Sequence, residues 1–421
     1  MTKTNLDRRD FIASLAAGSL LAMSQRSAAD ERRSVGPNDT IRIGMVGPGA
    51  RGSQLLAECL EHGKQFGAQV AAVCDIWEPR RAAAASTVEQ AHGAKPKIYR
   101  RLEPLLDDGQ IDVIVIATPD HQHAKMLEMA LAADKDVYCE KPFATALPEA
   151  QATLAAAAQS GRVIQIGTQR RSYPQYRAAA ALMRDGAIGD VFKVDLINNA
   201  YSPYRWATSP AELAAVNERD LDWQAFLMGK PHRPFDARVF RSFRLFREFS
   251  SGLIDQWMTH AIDVVHMLTG QMYPTSVMAH GGIYRYHDYR ENPDTIDVAL
   301  EYGQGEKKFL VNYSATLGGK AGSGWRLLGS KGCLEVEYAW TISPDTGAKP
   351  DVGGNPLTGD PKAMHHMANW LDCVRRGDPG GVYCSAEAGY SHAVACIMAS
   401  EAYWSGRRML YDPHERKIRS A

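Results

Sequence analysis

The apolar run Ile41-Arg42-Ile43-Gly44-Met45-Val46 passes directly into Gly47-Pro48-Gly49-Ala50-Arg51-Gly52, and a helical stretch from about Ser53 to Glu61 follows. A buried strand, a glycine-rich turn and a helix in that order open a βαβ unit. The glycines permit the tight turn and let an anion approach the helix N-terminus closely. A second apolar run, Val70 to Cys74, ends in Asp75, and an alanine-rich helix runs on to about His92. Asp75 therefore sits where an acidic residue meets the ribose of a bound dinucleotide, and its charge would repel a 2′-phosphate. That favours NAD over NADP, with Arg80 and Arg81 close enough to moderate the preference.

The alternation continues through a helix near Leu102 to Asp107, the strand 113–117, a helix from about His121 to Ala133, the strand 136–139, a helix from Pro148 to Gln159 and the strand 163–166. Strands and helices alternating at this spacing predict a doubly wound parallel sheet of the Rossmann type over residues 40–168. From about residue 170 the texture changes to longer alternating runs, 191–199, 276–283, 295–302, 308–315 and 325–337, with a helix near 255–268 and two more at 365–374 and 386–404. This predicts an α/β chain whose second domain, residues 169–410, is α+β with a large, mostly antiparallel sheet, followed by a C-terminal tail at 411–421.

Lysine plus arginine and aspartate plus glutamate each total 48 in the 421 residues, so the chain lacks the basic field of a general nucleic-acid binder. A small uncharged partner is the simpler expectation. Ahead of the fold, Asp7-Arg8-Arg9-Asp10-Phe11-Ile12 places paired arginines before a weakly apolar run too short to span a bilayer, and Ser27-Ala28-Ala29 offers small residues for cleavage. Residues 1–29 read as a twin-arginine export signal and 30–39 as a linker, which predicts a periplasmic or otherwise exported protein with no membrane span after processing. The seven cysteines form no CxxC pair, and the adjacent His365 and His366 diverge by about 100° on a helix, so no metal site is expected.

Two loops at the carboxyl edge of the parallel sheet carry the most specific signals. After the fourth strand comes Thr118-Pro119-Asp120-His121-Gln122-His123, and after the fifth Cys139-Glu140-Lys141-Pro142. Behind a GxGxxG turn, this Thr-Pro-x-x-x-His and Glu-Lys-Pro pair resembles the Gfo/Idh/MocA oxidoreductases over about residues 40–410. The resemblance implies an NAD-dependent oxidation of a secondary hydroxyl on a sugar or polyol, with a tightly held cofactor. By the match, Gly47, Pro48, Gly49, Ala50, Arg51, Gly52, Asp75, Thr118, Pro119, His121, His123 and Glu140 serve the cofactor. Lys141 lies beside the nicotinamide and contacts the hydroxyl being oxidised. A desolvated lysine with a lowered pKa suits that proton transfer.

The family's Asp-x-Gly-x-His-x-x-Asp pattern falls on Gln256, Met258, His260 and Asp263. His260 and Asp263 match; Gln256 stands where the first aspartate is expected and cannot accept a proton. The resemblance makes His260 a second catalytic group and Gln256 and Asp263 substrate contacts, while the residues alone also allow a core histidine satisfied by Asp263. Residues 200–249 form an insertion rich in aromatics and arginines, among them Arg205, Trp206, Arg241 and Arg244; Trp206 and the junction residue Arg170 are further candidate substrate contacts. The family implies a homodimer or homotetramer. Two further readings stand beside the dehydrogenase. One is an NAD-dependent glycosidase or lyase that oxidises, eliminates and reduces again; the other is a non-catalytic sugar-binding protein.

Overall fold

The computed structural model describes residues 39–344 and 355–421. The expected export signal and all but Asp39 of the linker lie outside the described residues.

Beginning at β1 (Ile41–Val46), the chain builds a six-stranded parallel sheet in the order β3-β2-β1-β4-β5-β6. Its other strands are β2 (Ala68–Cys74), β3 (Lys97–Tyr99), β4 (Val113–Ile116), β5 (Asp136–Cys139) and β6 (Ile164–Ile166). The helices α1 (Ala50–Gly63), α2 (Glu78–His92), α3 (Leu102–Leu106), α4 (His123–Ala132) and α5 (Leu147–Ser160) form the crossovers. All four residues of β4, Val-Ile-Val-Ile, are buried, as a strand covered on both faces requires. The order reverses between β1 and β4, both of which pair in parallel, and this opens a crevice at their carboxyl ends.

Helix α6 (Pro174–Arg184) leads into a ten-stranded sheet, ordered β14-β13-β12-β11-β7-β10-β9-β8-β15-β16. Its principal strands are β7 (Val191–Asn199), β8 (Ser276–Gly282), β9 (Thr295–Tyr302) and β10 (Phe309–Thr316). Every neighbouring pair is antiparallel except β7 with β10. Alternate residues of β9 and β10, including Ile296, Val298, Val311 and Tyr313, face a core closed by α7 (Thr259–Thr269) and α9 (Ala386–Ser405). Between them in sequence, α8 (His366–Arg376) returns to the first sheet: it packs on α1, Trp370 meets Tyr138 edge-on at 5.8 Å, and Gln165 Nε2 donates to His366 O at 2.6 Å.

Two sequence expectations need correction. The run 325–337 is not one strand: β11 (Gly324–Gly329) and β12 (Gly332–Val336) pair across a turn at Ser330-Lys331, the hairpin being marked only by its flanking glycines. The edge continues into β13 (Thr341–Pro344) and β14 (Asn355–Pro356). Residues 411–421 are not a tail, because β15 (Met409–Asp412) pairs with β8 and carries β16 (Lys417–Ser420) as the edge. The insertion at 200–249 is short helical turns around an aromatic cluster of its own, with Trp223, Phe226, Phe240 and Phe249 buried. It docks on the nucleotide-binding side of the sheet, where Trp77 meets Phe240 edge-on at 5.5 Å and Arg101 pairs with Asp222 at 2.6 Å. Among the described residues no helix is long and apolar enough to cross a membrane.

Candidate active site

A cavity of about 740 Å³ opens over the crevice between β1 and β4 and runs toward α7. At its floor Gly47 takes a φ of +73°, and its N–H donates to Cys74 O at 2.8 Å, turning the chain sharply out of β1. A side chain on Gly52 would run into the Gly47 carbonyl, so only glycine lets α1 begin this close to the strand. Gly47, Gly49, Ala50 and Arg51 line the cavity, whereas Pro48 and Gly52 shape the turn from behind. Free N–H groups at the start of α1 therefore face open space, the arrangement a pyrophosphate needs.

Asp75, at the end of β2, also lines the cavity and accepts the Trp77 N–H at 2.8 Å. Burial pushes its carboxyl pKa up, and Arg80 pulls against that. Arg51 pairs with Glu140 at 2.8 Å and Glu58 at 3.1 Å, tying the glycine turn to the Glu-Lys-Pro loop. The cradle thus fits a dinucleotide: glycine backbone for the phosphates, Asp75 for a ribose, and the loops after β4 and β5 for the nicotinamide end.

His123 holds those two loops together, with Nδ1 2.9 Å from Pro142 O and Nε2 2.9 Å from Thr118 O. Thr118, Pro119, His123 and Glu140 line the cavity. His121 does not. It turns into the insertion, with Nε2 2.8 Å from Phe226 O and its ring edge-on to Phe226 and Phe249, and burial lowers its pKa to about 4. Its expected cofactor contact is corrected to a docking contact, because the helical turn at Asp120–Gln122 sends neighbouring side chains in different directions.

The reactive end centres on Lys141. Its Nζ donates toward Asp255 O at 3.2 Å, Gln256 Oε1 at 3.2 Å and Gln256 O at 3.4 Å. A π-helical turn at Ile254–Met258, immediately before α7, presents those carbonyls. Burial pushes the Lys141 ammonium pKa down, while Asp120 and Glu140 draw it part of the way back. Gln256 links the group: Oε1 also accepts from Arg244 Nε at 3.0 Å, and Nε2 donates to Asp120 Oδ2 at 2.5 Å. Ser250 Oγ donates to the same Asp120 oxygen at 2.7 Å. Asp255 points elsewhere, accepting the Ser251 N–H at 2.6 Å, and burial raises its pKa to about 7. The carboxylate closest to the lysine network is consequently Asp120. Sequence reasoning passed over it inside the Thr118–His123 run, where nothing set it apart from its neighbours.

His260 lines the cavity with Nδ1 buried and without a hydrogen-bond partner. Burial, then Arg170 and Lys141, hold its pKa well below the usual histidine range, so it faces the site neutral. Asp263 is neither its partner nor a substrate contact. Arg171 Nε donates to both Asp263 oxygens at 2.8 Å, and His392 Nδ1 lies 3.3 Å from Oδ1, all beneath α7. Burial opposes ionisation there, but Arg171 keeps the Asp263 pKa well below the usual carboxylate range. The substrate role expected for Asp263 is therefore corrected to a structural one.

Arg170 reaches the cavity wall while paired with Glu337 through Nε at 3.1 Å and lying 4.8 Å from the Trp325 ring. Trp206 lines the opposite wall, edge-on to Trp257 at 6.1 Å. Asn198 and Tyr338 also line it, contributed by strand ends whose sequence carries no signal of a site. Among the described residues no three His, Cys, Asp or Glu side chains converge as a metal would require.

A model of the oxidoreductase family with an NAD-binding Rossmann fold matches residues 41–168, and one of the GFO/IDH/MocA C-terminal domain matches residues 227–335. Inositol 2-dehydrogenase of Pseudarthrobacter chlorophenolicus is 25% identical over 380 residues, covering 88% of this chain and 96% of that protein. Among solved structures, the WlbA dehydrogenase of Bordetella pertussis with NADH and UDP-GlcNAcA aligns at a TM-score of 0.64 with 19% identity, over 89% of this chain and 99% of that one. Levoglucosan dehydrogenase in complex with NADH aligns at 0.66 with 17% identity, over 88% and 98%. These likenesses to solved structures bear on the fold alone. With both sheets built as the sequence implied and each half matched by a model of the same group, the chain belongs to the Gfo/Idh/MocA family of oxidoreductases and carries its NAD-binding Rossmann domain.

Proposed function

We propose that the chain oxidises a secondary hydroxyl of a sugar or polyol, with Lys141 as the proton acceptor and NAD as the preferred cofactor. The observation that carries the reading is Lys141: a partly buried amine at the carboxyl edge of the dinucleotide cradle, its pKa lowered by burial, held by the carbonyls of a π-helical turn. NAD supplies the hydride acceptor. Lys141 takes the proton of the hydroxyl under oxidation. Gln256 orients the amine, and Asp120, through Gln256, balances the ammonium that results. His260, neutral and on the cavity wall, offers a hydrogen bond that fixes the hydroxyl. Asp75 on the cavity wall supports NAD over NADP. Similarity to inositol 2-dehydrogenase supports a polyol or sugar substrate.

The twin arginines Arg8 and Arg9 support export of the folded chain. NAD then stays bound through successive turnovers, since free nucleotide is scarce outside the cytoplasm. The direct test is to release and identify the bound nucleotide, then to follow absorbance at 340 nm while free sugars, cyclitols and glycosides are added. Stable NADH on a free sugar or cyclitol is expected. Glycoside cleavage with only a transient signal would replace the reading by an internal redox cycle, and no signal with nucleotide bound would leave a binding protein.

A further inference from the structure

Two guanidinium groups at the reactive end of the cavity form no ion pair with a carboxylate among the described residues, and from this we infer that the substrate is a sugar acid, its carboxylate held by Arg205 and Arg244 beside the hydroxyl that Lys141 deprotonates. The inference rests on the proposed oxidation and adds the substrate's charge to it. Arg205 stands on the solvent-accessible wall between two indoles, 5.3 Å from the Trp206 ring and 5.3 Å from the Trp257 ring. Those rings fix its plane, and its fork has no acidic partner among the described residues. Arg244 lies 4.4 Å from the Phe243 ring and spends Nε on Gln256 Oε1 at 3.0 Å, an uncharged acceptor. Lys141 Nζ reaches that same oxygen at 3.2 Å, so an anion on Arg244 lies within a few bonds of the reacting carbon.

Charge counting selects the anion. The other arginines of the wall are answered in place: Arg51 by Glu140 and Glu58, Arg170 by Glu337, Arg241 by Glu212 at 3.8 Å, and Arg80 by the neighbouring Asp75. Around Lys141, with its amine neutral to act as base, two arginines face one carboxylate, Asp120, whose Oδ2 is already taken by Gln256 and Ser250. One positive charge is left over, and Arg244 lies where burial disfavours an unpaired charge. A single carboxylate closes that balance, and a planar fork receives it through paired hydrogen bonds. A phosphate dianion would overfill it.

The test is calorimetric titration of the full chain, loaded with NADH, against a panel of hexuronates and aldonates, their neutral amides, and hexose 6-phosphates. Each acid and its amide share shape and differ in charge. At least one acid is expected to bind about 10- to 100-fold more tightly than its amide, with the difference shrinking as salt is raised. Arg205→Gln should remove most of that difference while leaving the amide and NADH unaffected, and Arg205→Lys should keep part of it, which also checks that the variants fold. No acid outbinding its amide, a hexose phosphate outbinding every acid, or a parallel loss of NADH affinity in Arg205→Gln would each overturn the inference. The same panel read at 340 nm with NAD separates the two claims. An acid that binds preferentially yet never yields NADH defeats the oxidation and leaves the charge preference standing; an acid and its amide that bind and react alike do the reverse.

Discussion

An amide occupies position 256, so in the proposed reaction the proton chemistry runs between Lys141 and a carboxylate on a different loop, Asp120. Asp120 opposes the depression of the Lys141 pKa, so removing it should lower that pKa further. Since the base must be neutral, activity falls as pH drops through the Lys141 value. The acid limb of kcat/KM is therefore expected to move to lower pH in Asp120→Asn, alongside a loss of about 10- to 100-fold in kcat; a limb that stays put would remove Asp120 from the network. Asp263 makes the opposite case. Held by Arg171 and His392 under α7, its replacement by asparagine should cost about 3–5 kcal/mol in denaturant unfolding with NAD affinity intact in the folded protein, because it strands a buried arginine. Its folded pKa is depressed, so its contribution is present above the unfolded value of about 3.9 and fades only as pH falls below that. Unchanged stability with a raised substrate KM would return Asp263 to the substrate.

Local patterns revealed elements where one physical signal dominated. The parallel strands were legible because β4 and β5 are short apolar runs with helices between them, and Lys141 because it follows one of those strands in a recognisable motif. The hairpin of β11 and β12 was not, because alternating segments flank a turn of only Ser330 and Lys331, and the glycines on either side are the sole break between them. Nor were β15 and β16, because the strand that β15 joins, β8, lies more than a hundred residues earlier and β16 pairs only with β15. His121, His260 and Asp263 show the limit at a finer grain: spacing places residues on a turn of helix, but the packing of a distant insertion or of α9 decides which way each side chain points. The glycine turn is the element most open to a sharp test. Gly52→Ala places a methyl group against the Gly47 carbonyl, so α1 must move off the strand, and NAD affinity should fall at least about tenfold in a fluorescence titration. Affinity within twofold of the parent would mean the turn does not carry the pyrophosphate.

At the scale of the molecule, the helices after the second sheet return to the first: α8 lies on α1 and α9 lies on both α5 and β8, so cofactor cradle and substrate wall share one packed core. The reactive end is assembled from both halves, Lys141 and Asp120 from the loops of one sheet and Gln256, His260, Arg205 and Arg244 from the other half of the chain. The proposed twin-arginine route carries folded protein, which would suit a site that depends on so many distant contacts; replacing Arg8 and Arg9 by lysine is expected to hold the protein in the cytoplasm, and fractionation showing it still exported would end the twin-arginine reading. In the proposed reaction Lys141 is the base of a hydroxyl oxidation, and single-turnover absorbance at 340 nm on NAD-loaded protein measures that step. With a sugar or polyol identified from the panel, Lys141→Met should bind NAD within about twofold of the parent and form NADH at least about a hundredfold more slowly. NADH formation at the parental rate, or loss of NAD binding in proportion to loss of rate, would contradict it.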